Sequence, residues 1–187
     1  DADANAAARD GGGLARVGAS ASAHLDAASV SRNVAGASGG GLLLANGSSF
    51  TLGSSAAFER GPAARGGGVA VAAAALAFVG PATVALVGNN ASAEGGAAAF
   101  YGRDARVVVN EAATVSANEA DEGGGFALDR GASLELSGEA AVDACAARSL
   151  GGGARARGAS TLVLRGAARV ARCAARDGGG IFASGAG

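Results

Sequence analysis

One pattern of about 28 residues recurs seven times along the chain. Each copy contains a run of two or three glycines, and successive runs start 27 to 29 residues apart, at Gly11, Gly39, Gly66, Gly95, Gly123, Gly151 and Gly178. A second column lies five or six residues before each run, at Asn5, Asn33, Gly61, Asn89, Asn118, Cys145 and Cys173. Columns that stay in phase over seven copies predict a repeat protein, in which each copy packs against its neighbours.

Apolar residues alternate with other residues inside each copy, which is the period of a strand and not of a helix. In one copy they are Phe126 and Leu128, then Leu134 and Leu136, then Val142. One such unit cannot bury its apolar side alone, whereas stacked copies can do so by pairing in register. The sequence therefore predicts an all-β fold, a parallel β-helix with about 28 residues and three short strands per coil and six to seven coils. The crossover rule for parallel strands predicts a right-handed path.

The corners of each coil are predicted to be structural. Glycine permits positive φ and close backbone approach at a sharp corner. Asparagine tolerates the left-handed region and can bond to the equivalent residue one coil away. We expect such a ladder to be formed by Asn33, Asn89, Asn118, Cys145 and Cys173. The two cysteines should stack as free, largely buried thiols, because parallel Cβ vectors hold their Cβ atoms too far apart for an unstrained disulfide.

Composition excludes several classes of function. Lysine is absent, so the chain has no Walker A loop and no Schiff-base lysine. One histidine leaves little room for histidine-based catalysis or a zinc site. A net charge of −1 gives no global field that would recruit nucleic acid. We expect no catalytic residues, no cofactor, no metal site and no nucleic-acid partner.

Charge is unevenly distributed along the chain. Residues 110–143 contain eight acids and one arginine, and residues 148–187 contain seven arginines and one acid. We therefore expect ion pairs between coils, such as Glu139 with Arg165 or Arg169. Four acids share the column directly before the glycines, and we interpret them as solvated corner charges rather than as calcium ligands: Asp10, Glu94, Glu122 and Asp177.

Residues 69–88 contain no charge and have the length of a membrane-spanning segment. Gly80-Pro81 interrupts them, however, and both flanks keep the phase of the repeat, so we expect solenoid coils and no membrane span. Residues that face outward in this register form a candidate interaction wall for a protein or glycan: Leu43, Ala70, Ala72, Ala77, Val79 and Val87.

The repeat resembles that of the chlamydial-type polymorphic outer membrane proteins. The resemblance rests on a Gly-Gly-apolar motif, here Gly123-Gly124-Gly125-Phe126, and on an apolar-x-x-Asn motif, here Val115-Ser116-Ala117-Asn118. The chain departs from it in using Val for Phe, a third Gly, and Gly61, Cys145 and Cys173 in place of Asn. The resemblance implies a right-handed β-helix and a surface-exposed, often adhesive segment.

From these observations we expect one solenoid domain over residues 1–187, continued by further repeats or domains of the same protein at both ends. The expected function is that of a non-enzymatic module for adhesion or interaction, at the cell surface or outside the cell. The alternative is a β-helix of the pectate-lyase-like type that binds or cleaves carbohydrate. A concave face with converging carboxylates would indicate an enzyme, and a flat wall that is apolar or polarised in charge would indicate an adhesive module.

Overall fold

The computed structural model describes residues 2–19, 21–78, 83–109 and 112–185. This part of the chain is all-β and contains no helix. Parallel strands are stacked about 28 residues apart and form a β-solenoid of about six turns. The predicted architecture of stacked parallel coils is thus confirmed.

The strands fall into four stacks that run along the solenoid axis. Stack 1 follows the glycine corner and contains Leu14–Val17, Leu42–Ala45, Val69–Ala72, Ala98–Tyr101, Phe126–Asp129, Ala154–Arg157 and Ile181–Ser184. Stack 2 contains Ala75–Phe78, Arg106–Val109, Ser133–Leu136 and Thr161–Leu164. Stack 3 contains Ala2–Asp3, Thr83–Val87, Ala113–Ser116, Ala141–Asp143 and Arg169–Ala171. Two long strands, Ser22–Ser31 and Ser49–Glu59, run through both stacks 2 and 3.

Stack 4 adds a short strand to the three that the apolar alternation indicates. It contains Ala6–Ala7, Val34–Ala35, Pro62–Arg65, Asn90–Glu94, Glu119–Glu122 and Ala146–Leu150. The register within it shifts between Asn90 and Glu94. Because one small alanine per copy is its main buried residue, this stack lacks the alternation of large apolar side chains that would have marked it in the sequence.

The core lies inside the coils and is filled by the alternating apolar residues. Phe50, Phe100, Phe126 and Leu134 are at most 3% exposed, as the register predicts. Phe100 and Phe126 belong to adjacent coils, and their rings stack with centroids 6.0 Å apart. Phe78 occupies the position of Leu52 and Val109 in the register and is predicted to lie in the core as well, but its side chain lies outside the described residues.

Residues 69–88 belong to the solenoid wherever the structure describes them, since three strands cover 69–72, 75–78 and 83–87. Within the described ranges, no helix is long and apolar enough to cross a membrane.

Glycine is required at the corner that precedes stack 1. Gly123 has φ of +66°, and a Cβ there would lie 2.2 Å from the carbonyl oxygen of Phe126. A Cβ on Gly124 would lie 2.3 Å from the carbonyl oxygen of Ala146. The coil therefore turns so tightly that any side chain at these two positions would collide with backbone, which accounts for the repeated glycines.

The asparagine column forms a buried chain of hydrogen bonds. Asn118 Oδ1 accepts from the backbone N–H of Asn89 at 2.9 Å and from Asn89 Nδ2 at 3.1 Å. Asn118 Nδ2 donates to the carbonyl oxygen of Leu86 at 2.8 Å. Asn33 is placed in the same way and accepts from the backbone and side chain of Asn5. Each amide thus satisfies backbone groups that the corner would otherwise leave unpaired.

We expect Asn118→Ala to lower the free energy of unfolding by about 2 to 4 kcal/mol, because it leaves buried donors and an acceptor without partners. Asn90→Ala is the matched control, since Asn90 is exposed and its loss should change stability by less than about 0.5 kcal/mol. Urea unfolding followed by circular dichroism measures both. Equal effects of the two substitutions would contradict the role of the ladder.

Cysteine replaces asparagine in the last two positions of this column. Cys145 is 1% exposed, and its Sγ accepts weakly from Asn118 Nδ2 at 3.7 Å. Cys173 is half-buried, and its Sγ lies 3.1 Å from the carbonyl oxygen of Ala171. Both are free thiols in the structure. Burial is the main cause that raises the pKa of Cys145 from 9.0 to about 11.

The two thiols should therefore react at different rates with an aromatic disulfide reagent. At neutral pH a pKa of about 11 leaves Cys145 with roughly 100-fold less thiolate than a thiol of pKa 9.0. We expect one fast thiol, Cys173, and one slow thiol in the native chain, and two reactive thiols after denaturation without reductant. Cys173→Ser should remove the fast phase. A denatured, unreduced chain without reactive thiols would show instead that the disulfide forms.

Ion pairs between coils are present, but one partner differs from the expected one. Arg165 Nε lies 2.7 Å from Glu135 Oε1, whereas the sequence suggested Glu139. Glu135 is stacked on Val163, which places it beside Arg165 on the outer face. Asp143 and Arg172 form a similar pair at a corner, and hydrogen bonding to Arg172 lowers the pKa of Asp143.

Candidate functional site

The outer face of stack 1 differs from the rest of the solenoid surface. The second residue of each strand points away from the core, because side chains alternate along a strand. In the five central strands of the stack four of these residues are apolar and one is charged, and in register order they are Leu43, Ala70, Ala99, Ala127 and Arg155. All five are buried although they face outward. Other side chains therefore cover this face.

This burial corrects the expected interaction wall. Leu43 is 8% and Ala70 is 1% exposed, so neither offers apolar surface to a partner. Ala72 and Val87 are half-buried. Val79 and the side chain of Ala77 lie outside the described residues. The strand alternation does place Leu43 and Ala70 opposite the core residues, but it could not show that neighbouring residues would bury them.

Arg155 lies on this face between three carboxylates. Two belong to stack 4, Glu94 and Glu122, and the third, Asp129, belongs to the strand that is paired with the strand of Arg155. Its side chain is 0% exposed. Its Nη2 lies 3.3 Å from Glu94 Oε1, and its Nη1 lies 3.3 Å from Glu122 Oε2. The Asp129 carboxylate is 3.7 Å from Nη1. Nη1 and Nη2 thus have ion-pair partners, but among the described residues none of the three guanidinium nitrogens makes a hydrogen bond of good geometry.

Repeat stacking brings the carboxylates together. Glu94 and Glu122 end successive strands of stack 4 and are partners in the register. Asp129 ends a strand of stack 1, on the other side of the glycine corner. One oxygen of each carboxylate faces Arg155, and the three side chains keep 20 to 28% of their surface exposed. The second oxygen also has a partner: Glu94 Oε2 accepts from the Tyr101 hydroxyl, Glu122 Oε1 from Arg157, and Asp129 Oδ1 from the backbone N–H of Arg130.

Tyr101 and two arginines complete the cluster. The Tyr101 hydroxyl donates to Glu94 Oε2 at 2.9 Å. Burial, followed by the nearby Glu94 charge, raises the pKa of Tyr101, so the phenol stays protonated. Arg65 lies 6.0 Å from the centre of the Tyr101 ring, and Arg157 Nη1 lies 3.0 Å from Glu122 Oε2.

Together these side chains form what we call the polar groove. It consists of Arg65, Glu94 and Glu122 along one rim, Tyr101, Asp129 and Arg157 along the other, and Arg155 between them. A depression of about 300 Å³ opens beside it, lined by Ser38, Arg65, Ala72, Glu94, Tyr101, Asp129 and Arg130. The groove offers carboxylate acceptors, guanidinium and phenol donors, and one aromatic ring within a short distance.

Metal binding has no support from this arrangement. Within the described ranges, no group of three or more His, Cys, Asp or Glu side chains is placed so that it could hold a metal ion. The position between the three carboxylates is taken by the Arg155 guanidinium, which supplies the positive charge there.

Sequence reasoning identified the acidic column but missed Arg155. The column is real, since Glu94 pairs with Glu122 and bridges connect Asp10 to Ser38 and Leu150 to Asp177. The available signal for Arg155 was a charge at a position where the four preceding copies have Leu or Ala. A search for the one charged residue in an apolar repeat column would have found it.

Comparison with known proteins gave no match. No protein-family model matches the chain, and neither the curated proteins nor the solved structures contain a significantly similar one. The geometry of the polar groove therefore carries the functional argument.

Proposed function

We propose that this chain is a non-enzymatic interaction module of the cell surface or the extracellular space, and that it binds its ligand at the polar groove. The observation that carries the proposal is the fully buried Arg155 among three partly exposed carboxylates. The repeat motif's resemblance to surface proteins supports the location.

The charge cluster is not needed for the fold. Ala99 and Ala127 occupy the equivalent positions in the two preceding coils and are 0% exposed, so a small apolar residue satisfies this site. Burying an arginine costs several kcal/mol of desolvation, which ion pairing at best offsets. Positions that break the local rule of a repetitive fold are where functional residues are expected.

A non-enzymatic role agrees with the shape of the groove. Within the described residues, short turns join the strands of the solenoid, and none of them forms a long loop that encloses the depression and excludes water, as catalysis usually requires. The inner carboxylate oxygens already face guanidinium groups. The carboxylates are 20 to 28% exposed and each oxygen has two lone pairs, so they can still accept hydrogen bonds from a ligand.

Surface interferometry on the immobilised chain tests the proposal. The probes are fibronectin, laminin, collagen and a panel of neutral, anionic and cationic oligosaccharides. We expect saturable binding of at least one probe, weakened at least tenfold by Glu122→Gln. Glu119→Gln is the matched control, because Glu119 lies in the same strand but is exposed on the face of stack 4. If no probe binds, or if both variants lose binding equally, the proposal is wrong.

A carbohydrate-cleaving β-helix is the second candidate, and the stacked carboxylates Glu94 and Glu122 favour it. Paired carboxylates are the usual acid and base of glycoside hydrolysis. Incubating the chain with the same oligosaccharides and measuring new reducing ends decides between the two. If products form with the wild-type chain and not with Glu122→Gln, the chain is an enzyme, and the proposal of a non-enzymatic binding module is wrong.

A further inference from the structure

We infer that the ligand of the polar groove is an uncharged, polyhydroxylated chain, such as a neutral oligosaccharide. This inference rests on the proposed function and names the ligand class of the same site. It follows from three properties of the groove: its charge balance, the kind of hydrogen-bonding groups it exposes, and their spacing along the solenoid.

The ion-paired cluster carries no net charge. The carboxylates of Glu94, Glu122 and Asp129 are balanced by the guanidinium groups of three arginines within 4 Å of them, which are Arg65, Arg155 and Arg157. Arg155 is fully covered, whereas the carboxylates are partly open. Arg65 and Arg157 are more exposed than the carboxylates they pair with, but both are already engaged, so a charged ligand of either sign would have to displace one partner of an existing ion pair.

Hydroxyl groups fit the atoms that remain free. Each carboxylate has about four acceptor sites, of which the arginines occupy only some. Arg65 is about half exposed and Arg157 about one third exposed, so both can still donate. A hydroxyl donates one hydrogen bond and accepts two, so it can bridge a carboxylate and a guanidinium without disturbing the ion pairs. Neighbouring hydroxyls on one ring would do so repeatedly.

The spacing of the groove also suits a chain of rings. Glu94 and Glu122 are equivalent residues on adjacent coils, and adjacent parallel strands lie roughly 4.8 Å apart. A hexose ring has about this length, so successive sugar units could meet successive carboxylates along the axis. Tyr101, at the rim, adds an aromatic ring next to this path.

Tyr101 supplies a reporter located in the groove. It is the only tyrosine, and the chain contains no tryptophan, so intrinsic tyrosine fluorescence comes from this site alone. The probes are the neutral hexamers of cellulose and mannan, the anionic hexamer of galacturonic acid and the cationic hexamer of chitosan. Each is titrated into the wild-type chain near physiological salt, with fluorescence and calorimetry measured in parallel.

We expect at least one neutral hexamer to change the Tyr101 emission saturably and to bind at least tenfold tighter than both charged hexamers. Asp129→Asn should weaken it at least tenfold, since a hydrogen bond to a charged group is lost. Glu119→Gln should leave it unchanged. Tyr101→Phe has no tyrosine emission, so its binding is measured by calorimetry. This second groove variant keeps the test independent of whether Asp129→Asn folds well.

Tighter binding of a charged hexamer, or no binding of either neutral one, would overturn the inference. The inference would also be overturned if Asp129→Asn left the affinity for a neutral hexamer unchanged and the hexamer did not alter the Tyr101 emission, since the sugar would then bind outside the groove. The proposed function fails separately, because it requires only that some probe, including the matrix proteins, binds at the groove in a manner sensitive to Glu122→Gln.

Discussion

A variant with Glu94→Gln, Glu122→Gln and Asp129→Asn should have a free energy of unfolding about 3 to 5 kcal/mol lower than that of the wild-type chain. The three substitutions keep the size of each side chain but remove the negative charges around Arg155, whose side chain is 0% exposed. A buried cation without a counter-charge is among the most costly changes in a folded protein. Urea unfolding followed by far-ultraviolet circular dichroism measures the loss.

Adding Arg155→Met to this variant should restore most of the stability. Methionine fills a similar volume and carries no charge, so nothing uncompensated stays buried. Surface pairs of Glu94 with Arg65 and of Glu122 with Arg157 remain lost in both variants, and each contributes less than about 1 kcal/mol. If the quadruple variant is less stable than the triple one, Arg155 is held by packing and not by charge.

Leu134→Asp should cost more than about 4 kcal/mol and leave the chain largely unfolded at 25 °C. Leu134 is 1% exposed in the core of the solenoid and is stacked between Val107 and Leu162. A carboxylate there has no partner, and its protonated form still leaves polar groups unpaired. Circular dichroism at 25 °C and urea titration report the outcome.

Leu164→Asp provides the matched control for this substitution. Leu164 lies in the adjacent coil of the same stack but is 36% exposed, so its carboxylate can remain hydrated. We expect a loss of less than about 1.5 kcal/mol there. A comparable loss at both positions would mean that Leu134 does not lie in the closed interior.

The fold could be predicted from the sequence because, in a solenoid, residues that are one repeat apart in the chain are neighbours in space. The residue stacked on Phe126 is Ala154, simply because one coil has about 28 residues. The same rule predicts the ladder partner of Asn118 and the stacking of Glu94 on Glu122. Glycine at 123 and 124 is likewise a local requirement, set by backbone geometry alone.

The polar groove was only half predictable. Its acidic column could be recognised from spacing, but the meeting of Glu94, Glu122 and Asp129 around Arg155 depends on how far each side chain reaches across the glycine corner and between coils. The repeat length does not determine how far a side chain extends from its strand. The same limitation explains why Leu43 and Ala70, correctly predicted to point outward, are buried.

The sequence by itself thus determined the repeat, the face of the strand on which each side chain lies, the corners and the parallel stacking. All of these follow from local backbone preferences that recur at one interval. Only the tertiary structure decided which outward side chains are covered and which charges meet. These depend on the packing of long, flexible side chains from different coils, whose positions are set in three dimensions and not by their order in the chain.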